Sequence, residues 1–410
     1  MKPFERLLKY AAIRTPSDEE SSTVPSSACQ FELAWHLHRE LFTMGITDVK
    51  VDTQCYLYAH IPPTPGYEDR PALGFIAHLD TVSDFCSHRI TPVVHEDYDG
   101  RELPLGPCGR VLSPEMFPHL RSLKGRTLIT SDGTTILGAD DKAGIAEIMT
   151  MAERIVEDEI PHGPICIAFT PDEEIGMGAA HFDLQAFGAD FAYTLDGDTE
   201  GEIQYENFNA AKAEFRITGV NVHPGSSKDV MVNASLVAME INSLLPAGET
   251  PRDTDGYEGF YHLTDMKGDV GEAVLRYIIR DHDTDSFEQR KETLRSIEKQ
   301  MNAKWGRGTV TLTVTDQYRN MAEIISGCMH LIRNAEKACC NAGVEPLILP
   351  IRGGTDGAQL SFKGLPCPNL GTGGHGYHGP YEHITAEGMD AACEVALELV
   401  KIYAEGPDPK

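Results

Sequence analysis

At 410 residues the chain exceeds what one hydrophobic core ordinarily serves, so two domains are expected. Apolar residues at 41% and charged residues at 24% describe a soluble globular protein and not a disordered one. A formal charge of −28 argues against a nucleic-acid backbone as partner, because that binding runs on clustered Lys and Arg.

Residues 1–16 lack the apolar stretch of a signal peptide, and no run approaches 18 apolar residues, so neither export nor membrane insertion is expected. Phe4, Leu7, Leu8, Ala11 and Ala12 recur at helical spacing, as do Leu33, Leu37, Leu41 and Phe42. An edge strand completes the first sixty residues. Short, almost wholly apolar runs follow at 73–77, 165–169 and 191–195, each leading into charged residues. Such strands alternating with helices, as at 143–156, predict a mostly parallel sheet covered on both faces. Residues 81–135, rich in Gly and Pro, read as a long excursion with one hairpin.

From about residue 208 the pattern changes. A strand at 211–218, a helix at 234–245, strands at 257–263 and 273–280, a charged helix at 286–305 and a strand at 309–315 spell β-α-β-β-α-β. That is the ferredoxin-like order, expected here as a domain, 208–318, inserted into a discontinuous one, 1–207 and 319–410. The chain then returns through a helix at 322–342, a buried strand at 347–351 and a closing helix at 386–404. The ten cysteines are scattered without a Cys-x-x-Cys pair, and Cys339 and Cys340 fall in a helical pattern as packing residues. A reducing cytoplasm is the expected compartment.

In an open parallel sheet, ligands bind beyond the carboxyl ends of the strands. After the run 73–77 comes His78-Leu79-Asp80, in which positions two apart share a face, so Asp80 can orient the ring of His78. Gly138-Ala139-Asp140-Asp141-Lys142 opens a helix, where two acids serve either as a cap or as ligands bridging two metals. After 165–169, Glu173 and Glu174 are neighbours that extended chain would point opposite ways. One can bind metal while the other takes a proton from water. Asp196 ends the next strand. A glycine-rich loop carries His375, His378 and His383, and spacing alone does not choose among them. Oxygen and nitrogen donors without thiolate suit hydrolytic zinc, with manganese or cobalt as substitutes.

Taken together, HLDT, GADDKAG, PDEEIGMGA, LDGD, NVHPGSSKDVMVNA, IIRDHD, RGGTDGAQLS and TGGHGYHGPYEH resemble, in order and spacing, the peptidase T family of tripeptide aminopeptidases. These are dizinc exopeptidases related to glutamate carboxypeptidase and aminoacylase, and the resemblance spans essentially the whole chain. It implies an α/β fold: a dizinc exopeptidase catalytic domain, its mostly parallel sheet flanked by helices, with an inserted ferredoxin-like lid and dimerisation domain. Two zinc ions per subunit are implied, with His78 and Asp196 on one, Glu174 and His378 on the other, and Asp140 bridging both. Asp80 orients His78, Glu173 is the general base, and a cis bond joins Asp140 to Asp141.

From the insert, the resemblance makes His223 the stabiliser of the transition state, reaching the site by lid closure or from a partner subunit. A bare reading makes it a turn residue before Pro224. Arg280 grips the C-terminal carboxylate of the peptide and Arg352 helps position it, as bidentate guanidinium donors. One departure from the family is Tyr381, where a His or Asn is expected, and His375 and Tyr377 make the loop unusually aromatic. The implied activity is removal of the N-terminal residue of tripeptides by a homodimer. Dipeptidase, carboxypeptidase or N-acyl amino acid hydrolase chemistry would use the same ligands. A non-catalytic peptide-binding protein would be expected to have lost Glu173 or some ligands, and all are present.

Overall fold

The structure, a computed structural model, describes residues 1–406; the four residues 407–410 of the expected outer domain lie outside it. The chain divides into two compact units. One comprises Met1–Tyr205, Glu323–Leu349 and the chain from Thr355 on; the other comprises Glu206–Ala322 and Pro350–Gly354.

The first unit is built on an eight-stranded sheet. Its spatial order is Asp48–Val51, Leu57–Ile61, Ile165–Thr170, Leu73–His78, Phe191–Gly197, Asn369–Gly371, Glu202–Gln204 and Leu347–Ile348. The third to sixth of these strands run parallel, and antiparallel neighbours flank them. Leu73–His78 and Ile165–Thr170 are buried at every position, which is why they read as unbroken apolar runs. Phe75 stacks toward Tyr193 on one face. On the other, Ile76 and Ala168 pack with Tyr58, Phe182, Phe187 and Leu360. Burying each such large side chain contributes about 1.5–3 kcal/mol. Helices Pro3–Ala11, Ala139–Glu157 and Ala386–Glu405 pack together, the second of them lying on strands Leu73–His78 and Phe191–Gly197.

The excursion after the first central strand holds more order than its Gly and Pro content suggests. It contains the expected hairpin, Leu103–Leu105 with Arg110–Leu112. Val93–His95 and Leu128–Thr130 also join Gly374–His375 and His383–Thr385 in a four-stranded sheet. Two other expectations are corrected. The helix expected over 322–342 is broken into Ala322–Ile325, a 3-10 turn at Ser326–Cys328, and His330–Asn341. Gly327 in that break is a poor helix former. The strand expected to be buried over 347–351 is only Leu347–Ile348 and lies at the sheet edge, with Ile348 exposed. Pro350 lacks the N–H that would extend it.

The second unit is a four-stranded antiparallel sheet ordered Phe260–Gly268, Glu272–Asp281, Asn209–Thr218, Val310–Tyr318, the ferredoxin-like arrangement. Helices Ala234–Ser243 and Thr284–Trp305 cover one face, capped by Asn233 on the Leu236 N–H and Asp283 on the Ser286 N–H. The other face is polar, with Arg276 between Glu214 and Asp265 at 2.8 and 2.7 Å. The strand expected at 257–263 begins only at Phe260, because 254–258 is held as a loop by Arg352. Among the described residues no helix is long and apolar enough to cross a membrane.

Candidate metal centre

Sheet register brings the candidate residues of the first unit to one edge. His78 lies opposite Thr170, so the chain leaving Thr170 delivers Glu173 and Glu174 beside it. Thr194 lies opposite Ile76, which puts Asp196 level with His78. The strand Asn369–Gly371 feeds the loop that carries His378. Ala139–Glu157 starts against these strand ends. A side chain at Gly144 would collide with the Leu195 carbonyl, so glycine there permits the close approach. The peptide bond between Asp140 and Asp141 is cis, and Asp141 Oδ1 accepts the Gly144 N–H at 3.2 Å, as the cap of the regular helix that follows.

Two sets of donor atoms result, with Asp140 common to both. His78 Nε2 lies 2.9 Å from Asp140 Oδ1 and 3.4 Å from Asp196 Oδ1. His378 Nε2 lies 3.0 Å from Asp140 Oδ2 and 3.1 Å from Glu174 Oε2. Donor separations near 3 Å are those of ligands about 2 Å from a common cation. His78 donates its Nδ1–H to the Asp80 carbonyl at 3.1 Å, which leaves Nε2 as the ring atom that faces the acids. Glu174 Oε1 is buried without a hydrogen-bond partner, as a ligand awaiting a cation would be. Burial, then repulsion from Asp140, lifts Glu174 to about 7 against the pull of His378. Burial and Asp196 raise Glu173 well above the usual carboxylate range. Hydrogen bonds to Asp140 and Glu174 lift His378 to about 11. A cation would relieve this crowding of buried carboxylates, so the residues fit a pair of divalent metals.

The surroundings differ from expectation in detail. Asp80 lies within 3.4 Å of the His78 ring, but its oxygens accept the backbone N–H groups of Glu173 and Glu174 at 2.9 and 3.2 Å. The two glutamates diverge through a 3-10 turn, Glu173–Ile175, rather than in extended chain. Asp141 also falls among the donors, yet its oxygens accept the N–H groups of His78 and Gly144. Three acids that sequence reasoning left without a role stand behind the cluster. Asp172 takes the Ser26 N–H and the Gln30 amide, both at 2.7 Å. Asp356 accepts from Thr170 Oγ1 at 2.8 Å, with its other oxygen unpartnered, and burial holds it at about 7. Glu382 accepts three backbone N–H groups around Asp140. Their motifs were visible, but nothing local distinguishes a buried acid from a solvated one.

The structure separates the three loop histidines. His378 alone joins the donor set. His383 donates Nδ1–H to the Tyr381 carbonyl at 2.7 Å, so its Nε2 accepts from His119 Nε2–H at 2.8 Å. His375 packs on His119 with ring centroids 4.0 Å apart. Burial lowers His375 to about 3 and His383 to about 4, keeping both neutral. Tyr377 donates to the Gly197 carbonyl, and Tyr381 packs on Phe117 in a small apolar cluster.

In the second unit, His223 is exposed and its Nδ1 accepts the Gly225 N–H at 3.1 Å, which leaves an Nε2–H donor facing outward. Arg280 donates to the Ile279 carbonyl at 2.9 Å and lies over the Tyr318 ring. Arg352 donates to Thr254, Gly256 and Glu258 and lies over Phe208 and Phe260.

A sequence model of peptidase family M20/M25/M40 matches residues 133–402. The chain is 52% identical to a peptidase T of Clostridium perfringens, over 98% of this chain and 99% of the other. It is 53% identical to a peptidase T of Desulfitobacterium hafniense, over 98% of each. A solved tripeptidase from Staphylococcus aureus shares the fold with a TM-score of 0.79 at 23% identity, over 98% of each chain.

Proposed function

The chain belongs to peptidase family M20/M25/M40, and from that premise we propose that it removes the N-terminal residue of tripeptides with metal-activated water. The observation that carries this reading is the pair of donor sets sharing Asp140, with Glu173 beside them. His78 and Asp196 would hold one ion and Glu174 and His378 the other, with Asp140 near both. Zinc is the metal we assign, with manganese or cobalt as substitutes. Such ions, when bound, supply Lewis acidity and lower the pKa of water.

Glu173 takes the proton of the attacking water and returns it to the leaving amine. His223, through its outward Nε2–H, donates to the oxyanion formed at the scissile carbonyl. Arg280 grips the C-terminal carboxylate, and Arg352 positions the peptide by holding the 254–258 loop. Residues 208–318 serve as lid and dimer contact of a homodimer, for which exposed Leu236 and Met239 offer apolar surface. We place the enzyme in the cytoplasm, where its ten free cysteines would stay reduced.

The test is metal content together with hydrolysis of a free tripeptide, before and after chelation and zinc restoration. Two zinc ions per chain, activity lost and regained, and release of one N-terminal residue are expected. Faster cleavage of N-acetylated than of free tripeptides would replace the aminopeptidase reading with an acyl-amino-acid hydrolase.

A further inference from the structure

Residues 137–140 leave the strand ends and enter the helix in irregular backbone, with Gly138 at φ +72° and Asp140 outside the helical region. N–H groups at such a helix start have no acceptor within the helix and must find one elsewhere. One side chain supplies it. Glu382, only 2% exposed, accepts the Leu137 and Gly138 N–H groups on Oε2 at 2.6 and 2.7 Å, and that of Asp140 on Oε1 at 3.0 Å.

Glu382 is itself anchored. Its N–H donates to the Gly379 carbonyl at 3.1 Å, and the next residue, His383, enters a strand paired with Leu128–Thr130. The segment between His378 and this strand is therefore tied, through one carboxylate, to the segment that carries Asp140. The side chains of His378 and Asp140 meet at 3.0 Å. Asp80 does the corresponding work for Glu173 and Glu174.

We infer that Glu382 is a positioning residue of the metal centre, setting the place of Asp140 relative to His378 through the backbone and touching neither metal nor substrate. This rests on the ligand assignment proposed above. Only a carboxylate fits the role. A carboxamide has one acceptor oxygen and one NH2 donor, so either orientation turns an NH2 onto a backbone N–H. A merely structural residue would affect stability and leave metal affinity untouched.

The experiment uses the full chain as wild type and Glu382→Gln. Zinc affinity of each metal-stripped protein is measured by competition with a chromophoric chelator, beside its Tm and its kcat and KM for a tripeptide. Zinc affinity in the Gln variant is expected to fall about 10–100-fold, with a comparable loss of kcat and KM within about threefold. Zinc affinity within about threefold of wild type, whatever the Tm, overturns the proposal. Should the Gln variant fail to fold, Glu382→Asp decides in its place. It keeps both acceptor oxygens one methylene short, and wild-type zinc affinity there overturns the proposal equally. A wild type that binds zinc yet leaves tripeptides whole removes the proposed reaction, while the affinity comparison still decides Glu382. A wild type that takes up no zinc overturns both.

Discussion

In the first unit, His78, Asp140, Glu174, Asp196 and His378 close to 2.9–3.4 Å of one another in a chain of contacts, and buried carboxylates behind them fix their backbone. In the second, His223, Arg280 and Arg352 each turn to their own unit's backbone: a turn N–H, a strand carbonyl and the carbonyls of a loop. On the roles proposed above, the difference follows from what each group must hold. Ligands of a small cation have to be placed within a few tenths of an ångström, and the fold invests hydrogen bonds in doing so. Donors to a peptide's oxygen atoms tolerate a looser starting position and take up their geometry with the substrate.

The largest effect that would test this contrast is at Glu173. Glu173→Gln is expected to cut turnover about 10²–10⁴-fold while two zinc ions remain bound, read by single-turnover assay and metal analysis. Near-normal turnover would remove the general-base role.

Next come the two arginines, whose surroundings predict different symptoms. Arg280→Ala should weaken binding of free tripeptides about 10–100-fold, the range of a lost charge-assisted hydrogen bond, and spare C-terminally amidated ones. Equal losses on both substrates would count against carboxylate recognition. Arg352→Ala should instead lower stability by about 1–3 kcal/mol, since the carbonyls of Gly256 and Glu258 lose their donor and two aromatic rings their cation. Unchanged thermal stability with a raised KM would show that Arg352 meets substrate directly.

The smallest effect belongs to the buried histidines away from the donor set. His375 at about 3 and His383 at about 4 lie below the ordinary value near 6.5, so the fold favours their neutral forms. Their contribution to stability is complete above pH 6.5 and is lost as pH falls from there to about 4 for His383 and about 3 for His375. The Tm should drop over that interval, and less steeply in His375→Phe, which keeps a ring on His119. An identical pH profile in the variant would remove His375 as a source of the acid sensitivity.

Much of this molecule is legible along the chain. The apolar runs before His78, Glu173 and Asp196 identify central strands, because strands covered on both faces carry no polar alternation. The β-α-β-β-α-β order of the second unit is equally visible, since its strands alternate and its long helix has an Asp cap. Less visible are the short strands Val93–His95 and Leu128–Thr130. Leu128–Thr130 pairs with chain some 250 residues further on, Val93–His95 pairs in turn with Leu128–Thr130, and three residues carry no periodicity of their own.

By itself, then, the sequence determined which residue types reach the sheet edge: strand ends with acids and histidines just beyond them, in an order that matches a peptidase family. Spacing could not decide which histidine of the glycine-rich loop faces Asp140; only the resemblance to that family selected His378. Nor could the sequence tell that Asp80 and Glu382 spend their oxygens on backbone N–H groups, or that Arg352 is held by the 254–258 loop. Those outcomes depend on which buried donors lack an acceptor once the chain has packed. Each is settled by a partner distant in sequence: Glu382 for 137–140, His119 for His383, Thr254 for Arg352. Local pattern records burial and periodicity, whereas the pairing of buried polar groups is a property of the packed fold.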